Sequence, residues 1–291
     1  MKKLALALGL VIAFGASAEV KVFTPEKGGI PNMEYAWNDA PTVTVVQYNM
    51  AAARVGTIDD LAKAIATLDA DIISLNEVDN MTERSGKVNQ VEALAKKLNM
   101  HYAFGRAIDF EGGQYGVAVL SKYEIAKTQV VNLPSGNDEQ RVLLASEIAV
   151  PGFDSPILFM NTHLDWHEDH VLQAQQVTEI NNIVVANTEM DFPELPSRIK
   201  ILAGDFNDVY NGPALKELSR YWNLVTDEDQ NEMRTWPAAN PHFDLDHILT
   251  SRGQVWHVED VKVPEVVEGD INWGTTSDHL PVVAKLKLLE Q

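Results

Sequence analysis

Four apolar runs in this chain stop in the same way. Val43-Thr44-Val45-Val46-Gln47 leads into Tyr48-Asn49, and Ile72-Ile73-Ser74-Leu75 into Asn76-Glu77. Ile157-Leu158-Phe159-Met160 leads into Asn161-Thr162-His163, and Ile201-Leu202-Ala203 into Gly204-Asp205-Phe206-Asn207. Short runs of this kind, rich in Val and Ile, read as buried strands. A buried strand that ends in Asn, Glu, His or Asp delivers a polar group on rigid support to the rim of a core. If the ends converge, one cleft receives carboxylates, amides and an imidazole. A fifth stretch, Ser277-Asp278-His279-Leu280-Pro281, stands just before the last apolar run.

The remaining pattern fixes the fold class. Helical spacing of apolar residues occurs over 57–68, 91–98 and 169–186, with a short helix over 213–219 opened by Pro213. Strand-like runs occupy 115–120, 125–133, 141–150, 244–250, 256–263 and 281–288. Strands in long series, with helices between only some of them, predict an α/β sandwich of two mostly antiparallel sheets packed face to face, flanked by helices. The alternative, a single doubly wound parallel sheet, sits poorly with the strand-only middle. Residues 42–291 form the expected domain, preceded by an irregular leader over 19–41 that contains Gly28-Gly29 and Pro31.

The start of the chain reads as an address. Lys2 and Lys3, an apolar run from Leu4 to Phe14 and an Ala16-Ser17-Ala18 site predict a signal peptide over 1–18 and a periplasmic or secreted protein. No later stretch is apolar for long enough to cross a membrane as a helix. The chain has no cysteine, which excludes disulfides, a thiolate nucleophile and Cys-ligated metal. Its net charge is −19, a field that repels polyanions at long range and argues against a role in coating nucleic acid.

The polar strand ends suit a hard cation. Glu77 and Asp278 offer carboxylates and Asn49 an amide oxygen, ligands that Mg²⁺ or Mn²⁺ accept, and Ca²⁺ as well. In an extended segment Asp205 and Asn207 face one way and Phe206 the other, so Phe206 can anchor in the core while its neighbours face a common point. His167 and His170 read as a solvated helix cap rather than ligands, and Trp166 as a buried core ring.

Taken together, the blocks "QYNM", "LNEVD", "NTHLD", "GDFND", "DLDHIL" and "SDHLP" resemble, in order, those of the endonuclease/exonuclease/phosphatase superfamily of metal-dependent phosphoesterases. The resemblance runs from about Thr42 to Leu288. It implies a four-layered α/β sandwich with Asn49 and Glu77 at the metal, Glu77 as principal ligand and Asp278 as a further contact. It implies that Asp205 and Asn207 position water and phosphate, and that His279, oriented by Asp246, is base or phosphate contact. It places His163 against phosphoryl oxygens or the leaving group, and Arg84 and Arg141 where relatives carry phosphate-facing arginines. His247 stands where many relatives have an aromatic. The implied activity is hydrolysis of a phosphoester, with a small phosphodiester, phosphomonoester or lipid headgroup favoured. The alternatives are a secreted nuclease and, in another class, a non-catalytic module that binds a phosphate ligand. No obligate protein partner is implied.

Overall fold

The computed structural model describes residues 39–186, 190–226 and 233–290. The expected signal peptide and nearly all of the leader lie outside these residues. The strands are β1 (Thr42–Asn49), β2 (Ile72–Asn80), β3 (His101–Phe110), β4 (Gly113–Ser121), β5 (Ile125–Asn132), β6 (Val142–Ile148), β7 (Ile157–His163), β8 (Lys200–Asp205), β9 (Trp222–Leu224), β10 (Asp246–Ser251), β11 (Val255–Lys262), β12 (Val267–Glu268), β13 (Ile271–Asn272) and β14 (Val282–Glu290). The helices are α1 (Ile58–Ala66), α2 (Gln90–Leu98), α3 (Val171–Ala186) and α4 (Pro213–Leu218).

Two six-stranded sheets carry the fold, ordered β11-β14-β1-β2-β4-β3 and β5-β6-β7-β8-β10-β9. Alternation along β1 shows why they stack. Val43 and Val45 pack between the sheets with Ile72, Val117, Leu144, Phe159, Ile201 and Val282. Val46 and Tyr48 point the other way, against Leu61 and Ile65 of α1 and Leu94 of α2. On the far side of the second sheet, Leu158, Met160 and Leu202 meet Val177, Ile180 and Ile183 of α3. Each sheet is therefore apolar on both faces, and the result is helices, sheet, sheet, helices.

One βαβ unit sits in each sheet. β1 and β2 are parallel across α1, with Asn49 level with Asn76, and β7 and β8 are parallel across α3, with His163 level with Asp205. All other strand pairings are antiparallel. The C-terminal edges of the two parallel pairs thus bring the four polar run ends to one rim.

Three differences from the sequence reading have plain causes. β3 escapes pattern reading because its mixed surface, with Arg106 and Asp109, belongs to the outermost strand of its sheet. β2 does not end at Leu75. It continues to Asn80 through an irregularity between Leu75 and Val78, where Glu77 adopts φ 52°. Such a bulge turns a side chain out of the strand's regular alternation. Trp166, expected in the core, is 63% exposed.

Candidate active site

Asp205 is the hub. It is the last residue of β8, and its approach to β7 depends on Gly204, where a Cβ would lie 2.2 Å from the Thr162 carbonyl oxygen. Its Oδ2 accepts from Asn49 Nδ2 at 2.9 Å and lies 3.6 Å from His163 Nε2 and 3.7 Å from His279 Nε2. Its Oδ1 accepts from the Asn207 amide at 3.0 Å. Phe206 is buried among the α3 and α4 side chains, as its place between two polar neighbours predicts. Asn207 takes the left-handed conformation, φ 48°, and donates Nδ2 to the Leu164 carbonyl.

Beside it stands a dyad. His279 Nδ1 lies 2.8 Å from Asp246 Oδ2, which also accepts from Thr235 Oγ1 at 2.6 Å, while Asp246 Oδ1 accepts from Gln47 Nε2 at 3.1 Å. Asp246 and Asp205 face each other across the β8–β10 pair. Both carboxylates are buried. Burial pushes the Asp205 carboxyl up, and the Asp246 charge adds to this, to about 7 despite the nearby imidazole. Burial alone would drive the His279 proton off, but the charges of Asp246 and Asp205 and the Asp246 hydrogen bond outweigh it and raise the group to about 10. His163 moves the other way: burial, then the charges of Arg141 and His279, hold it well below its ordinary value. At neutral pH the site therefore holds one imidazolium and one neutral imidazole.

An amide network between the sheets fixes these positions. Gln47 Nε2 and the Asp205 amide both donate to Asn76 Oδ1, at 2.5 and 2.9 Å. Asn76 in turn donates to Asn161 Oδ1 at 2.9 Å, and Asn161 donates to the Leu75 and Ala118 carbonyls at 2.9 and 2.8 Å. All three amides are buried. They tie β1, β2, β4, β7 and β8 together beneath the cleft, with Gln47 Oε1 the one amide oxygen left without a partner, and a buried network of this kind rigidifies what it holds.

Asn49 lies at the rim beside Glu77 and Asp205. Its Oδ1 accepts from the Ala51 amide, while its Nδ2 faces Asp205 and, at 3.2 Å, Glu77 Oε1. The amide nitrogen thus orients two carboxylates, and Oδ1 keeps a second lone pair. Arg84 is also elsewhere: its Nε and Nη2 grip buried Asp79 at 2.7 and 2.8 Å, and its guanidinium covers the Phe110 ring at 4.5 Å. Arg141 is where the resemblance implies. It is buried, lines the cleft with Glu77, His163, Asp205, Asn207, Asp278 and His279, and its Nε has no protein partner. Its Nη1 lies 3.2 Å from Glu139. His167 Nδ1 pairs with the Asp165 carboxylate and His170 Nδ1 with Gln173 Oε1, while the side chain that accepts from the first amide of α3, on Val171, is Asp169 rather than either histidine. His247 is buried against Phe206, with Nδ1 on Thr226 and Nε2 facing the Asp208 carbonyl. It supports the floor.

Two functional residues escaped sequence reading. Arg54 Nη2 reaches Glu77 Oε2 at 2.7 Å from a turn in which Ala51, Ala52 and Ala53 all have positive φ, 49°, 51° and 53°. Left-handed backbone costs about 1–2 kcal/mol per L-residue, so something must hold it. Buried Gln90 does: its Nε2 donates to the Ala52 carbonyl at 2.7 Å and its Oε1 accepts from the Asp79 amide at 2.9 Å. One side chain thus clamps the alanine turn and the strand just beyond the Glu77 bulge. Gln90→Ala is expected to destabilise the fold by about 1–3 kcal/mol, leaving two buried backbone groups unpaired, and to weaken Mg²⁺ binding. Urea unfolding and titration calorimetry check the two effects separately.

The donor set fits a hard cation. Glu77 and Asp278 present carboxylates to the cleft beside Asp205, whose carboxyl is held up by burial and then by the Asp246 charge. Asp205, Asp246 and His279 also place ligand-type atoms within 4.8 Å of one another.

The profile of the Endonuclease/Exonuclease/phosphatase family matches residues 46–279. The uncharacterized protein YbhP of Escherichia coli (strain K12) is 28% identical over 243 residues, spanning 79% of this chain and 88% of that one. An endonuclease/exonuclease/phosphatase from Beutenbergia cavernae superposes with a TM-score of 0.65 at 21% identity, over 85% of this chain and 72% of that one. The mannosyl-6-phosphatase Bt3783 of Bacteroides thetaiotaomicron does so with 0.66 at 17% identity, over 84% and 99%. At such identities the two structures speak for the fold alone. The profile match runs from β1 to His279, through both sheets and every strand end that forms the cleft: the chain belongs to the endonuclease/exonuclease/phosphatase family of phosphoric ester hydrolases.

Proposed function

We propose that this chain is an exported, divalent-cation-dependent hydrolase of small phosphoesters. The observation that carries the phosphate reading is buried Arg141, a guanidinium that lines the same cleft as the His279 imidazolium and keeps an unpartnered Nε. A buried guanidinium with an unpaired donor is rare, and a phosphoryl oxygen is the acceptor that its geometry suits.

The roles follow from charge and position. Glu77 and Asp278 would hold Mg²⁺ or Mn²⁺, which when bound supplies Lewis-acid neutralisation of a phosphoryl oxygen. Asp205 takes the proton from the attacking water, since it is the carboxylate with an acidity constant near neutrality. His279 already carries a proton and so donates to a phosphoryl oxygen rather than serving as base. Asp246 holds its tautomer and charge, as a carboxylate behind a catalytic imidazole does. Neutral His163 offers an N–H to the leaving oxygen. Asn207 and Arg141 orient the phosphate.

The acidic chain favours a small substrate over nucleic acid, because long polyanions gain affinity through many basic contacts. The sugar phosphate named for Bt3783 is one member of that small class. The signal-peptide reading of residues 1–18 supplies the export. The test is kcat/KM for small phosphomonoesters and phosphodiesters against duplex DNA at two ionic strengths. Small esters are expected to win. Efficient DNA cleavage with a steep salt slope and no small-ester turnover would move the reading to a secreted nuclease.

A further inference from the structure

Arg141 and His279 suit part of the cleft lining to phosphate; the rest has another character. The cleft is also lined by Trp166, Trp236 and Phe243 and by the carboxylates of Glu139 and Glu168, the first of which pairs with Arg141. Trp166 is 63% exposed and Phe243 42% exposed. Leaving large rings in water beside catalytic groups forgoes roughly 1.5–3 kcal/mol of burial per ring, so their exposure calls for a reason.

Trp166 is not loosely held. Its ring stacks on His167 with centroids 4.4 Å apart and planes 19° from parallel. His167 Nδ1 is fixed by both oxygens of buried Asp165, at 2.8 and 3.0 Å. The backbone amide of Asp165 is held in turn by Gln176 of α3 at 2.9 Å. One face of the indole is thus backed by a rigid stack, which leaves the other free. Trp236 and Phe243 are braced similarly, with ring centroids 5.9 Å apart and His242 packed at 4.8 Å from Phe243.

The chemistry of this lining selects its ligand. Ring faces are electron-rich, and the carboxylates add negative charge. Arg141 is the only Lys or Arg lining the cleft among the described residues, and it belongs to the part suited to phosphate. A second phosphate would be repelled here. A neutral polyol would find acceptors for its hydroxyl protons but few donors for its oxygens. What complements ring faces and carboxylates together is a cation carried on methyl or methylene groups. The cleft, about 570 Å³, has the size of a small-molecule site.

Resting on the phosphoesterase reading of the same cleft, we propose that Trp166, Trp236, Phe243 and Glu168 form a subsite for an alkylammonium group on the alcohol side of the phosphoester. The substrate class is then a phosphate ester of an amino or trimethylammonio alcohol.

Three p-nitrophenyl diesters that share one leaving group separate the possibilities: the phosphorylcholine ester, the methyl phosphate ester and the thymidine 5′-phosphate ester. With Mg²⁺, kcat/KM for the choline ester is expected to exceed that for the methyl ester by about tenfold, the scale of a desolvated cation–π contact. Trp166→Ala and Glu168→Gln should each bring that ratio towards one. Equal values for choline and methyl esters, a ratio untouched by both variants, or preference for the thymidine ester would overturn the proposal. Choline itself, titrated against tryptophan fluorescence, gives a readout that needs no turnover. Saturable quenching in the wild type and its loss in Trp166→Ala are expected, and absence of saturable binding would overturn the subsite. Failure of all three esters to turn over would instead fault the phosphoesterase reading, and the choline titration would still decide the subsite.

Discussion

Asp205→Asn lowers kcat by about 10³–10⁴-fold, the scale of losing a general base together with a charge that steadies the site. No other side chain in the cleft does as much. Its Oδ2 lies within 3.7 Å of both His163 and His279 and accepts from Asn49, so it touches both imidazoles and the amide that also reaches Glu77. Asparagine keeps the shape and the Asn207 amide contact but cannot take a proton. The fold should not suffer. Because the Asp205 carboxyl is raised by burial and by Asp246, its ionisation penalises the native state, and this penalty grows as pH rises from the unfolded value through about 7. At pH 8 the metal-free Asn variant should therefore melt no lower than the wild type. Steady-state kinetics with calorimetric melting checks both halves, and a variant that kept wild-type kcat would remove Asp205 from the chemistry.

His279→Ala is the second large effect, with kcat reduced by about 10²–10³-fold. The loss is one of a placed positive charge as well as of a hydrogen bond. The folded His279 group is raised to about 10 against an ordinary value of 6.5, so the stability it lends is complete below pH 6.5 and disappears as pH rises through about 10. In metal-free protein, urea unfolding between pH 6 and 11 should show this fall for the wild type, and His279→Gln should flatten it. Asp246→Asn should also lower kcat while pulling the His279 titration downwards. An unchanged His279 titration in that variant, followed by NMR, would contradict the dyad.

How much of this was legible in the chain can be judged residue by residue. The long series of strand-like runs predicted the two-sheet sandwich, and the polar endings of four of them predicted the convergence of Glu77, His163 and Asp205, because a buried strand leaves its last residue few directions in which to point. The pairing of Asp246 with His279 came from the family resemblance, and the 2.8 Å contact bears it out. Arg84 was indistinguishable from Arg141 in sequence: both are lone arginines after acidic residues, and only tertiary structure gives one to Asp79 and sets the other in the cleft lining with its Nε unpartnered. Trp166 misled because a tryptophan beside an apolar strand end is usually buried. The stack on His167 that holds it outward involves neighbours whose rings meet only once the chain turns into α3. Gln47, Asn76 and Asn161 did leave a signal, as amides inside apolar runs, where a strand would otherwise carry aliphatic side chains. Arg54 and Gln90 left none, since their role depends on left-handed alanines that no propensity anticipates.

The central claim is that the cleft hydrolyses a phosphoester with a cation held by Glu77 and Asp278 and a water activated by Asp205. Initial rates on a p-nitrophenyl phosphodiester, measured in chelator and then with excess Mg²⁺ or Mn²⁺, test it most directly. The account predicts no turnover in chelator, recovery on adding either ion, and a Glu77→Gln variant that folds normally but needs much more metal for half-maximal rate. Full turnover in chelator, with Glu77→Gln indistinguishable from the wild type, would contradict it.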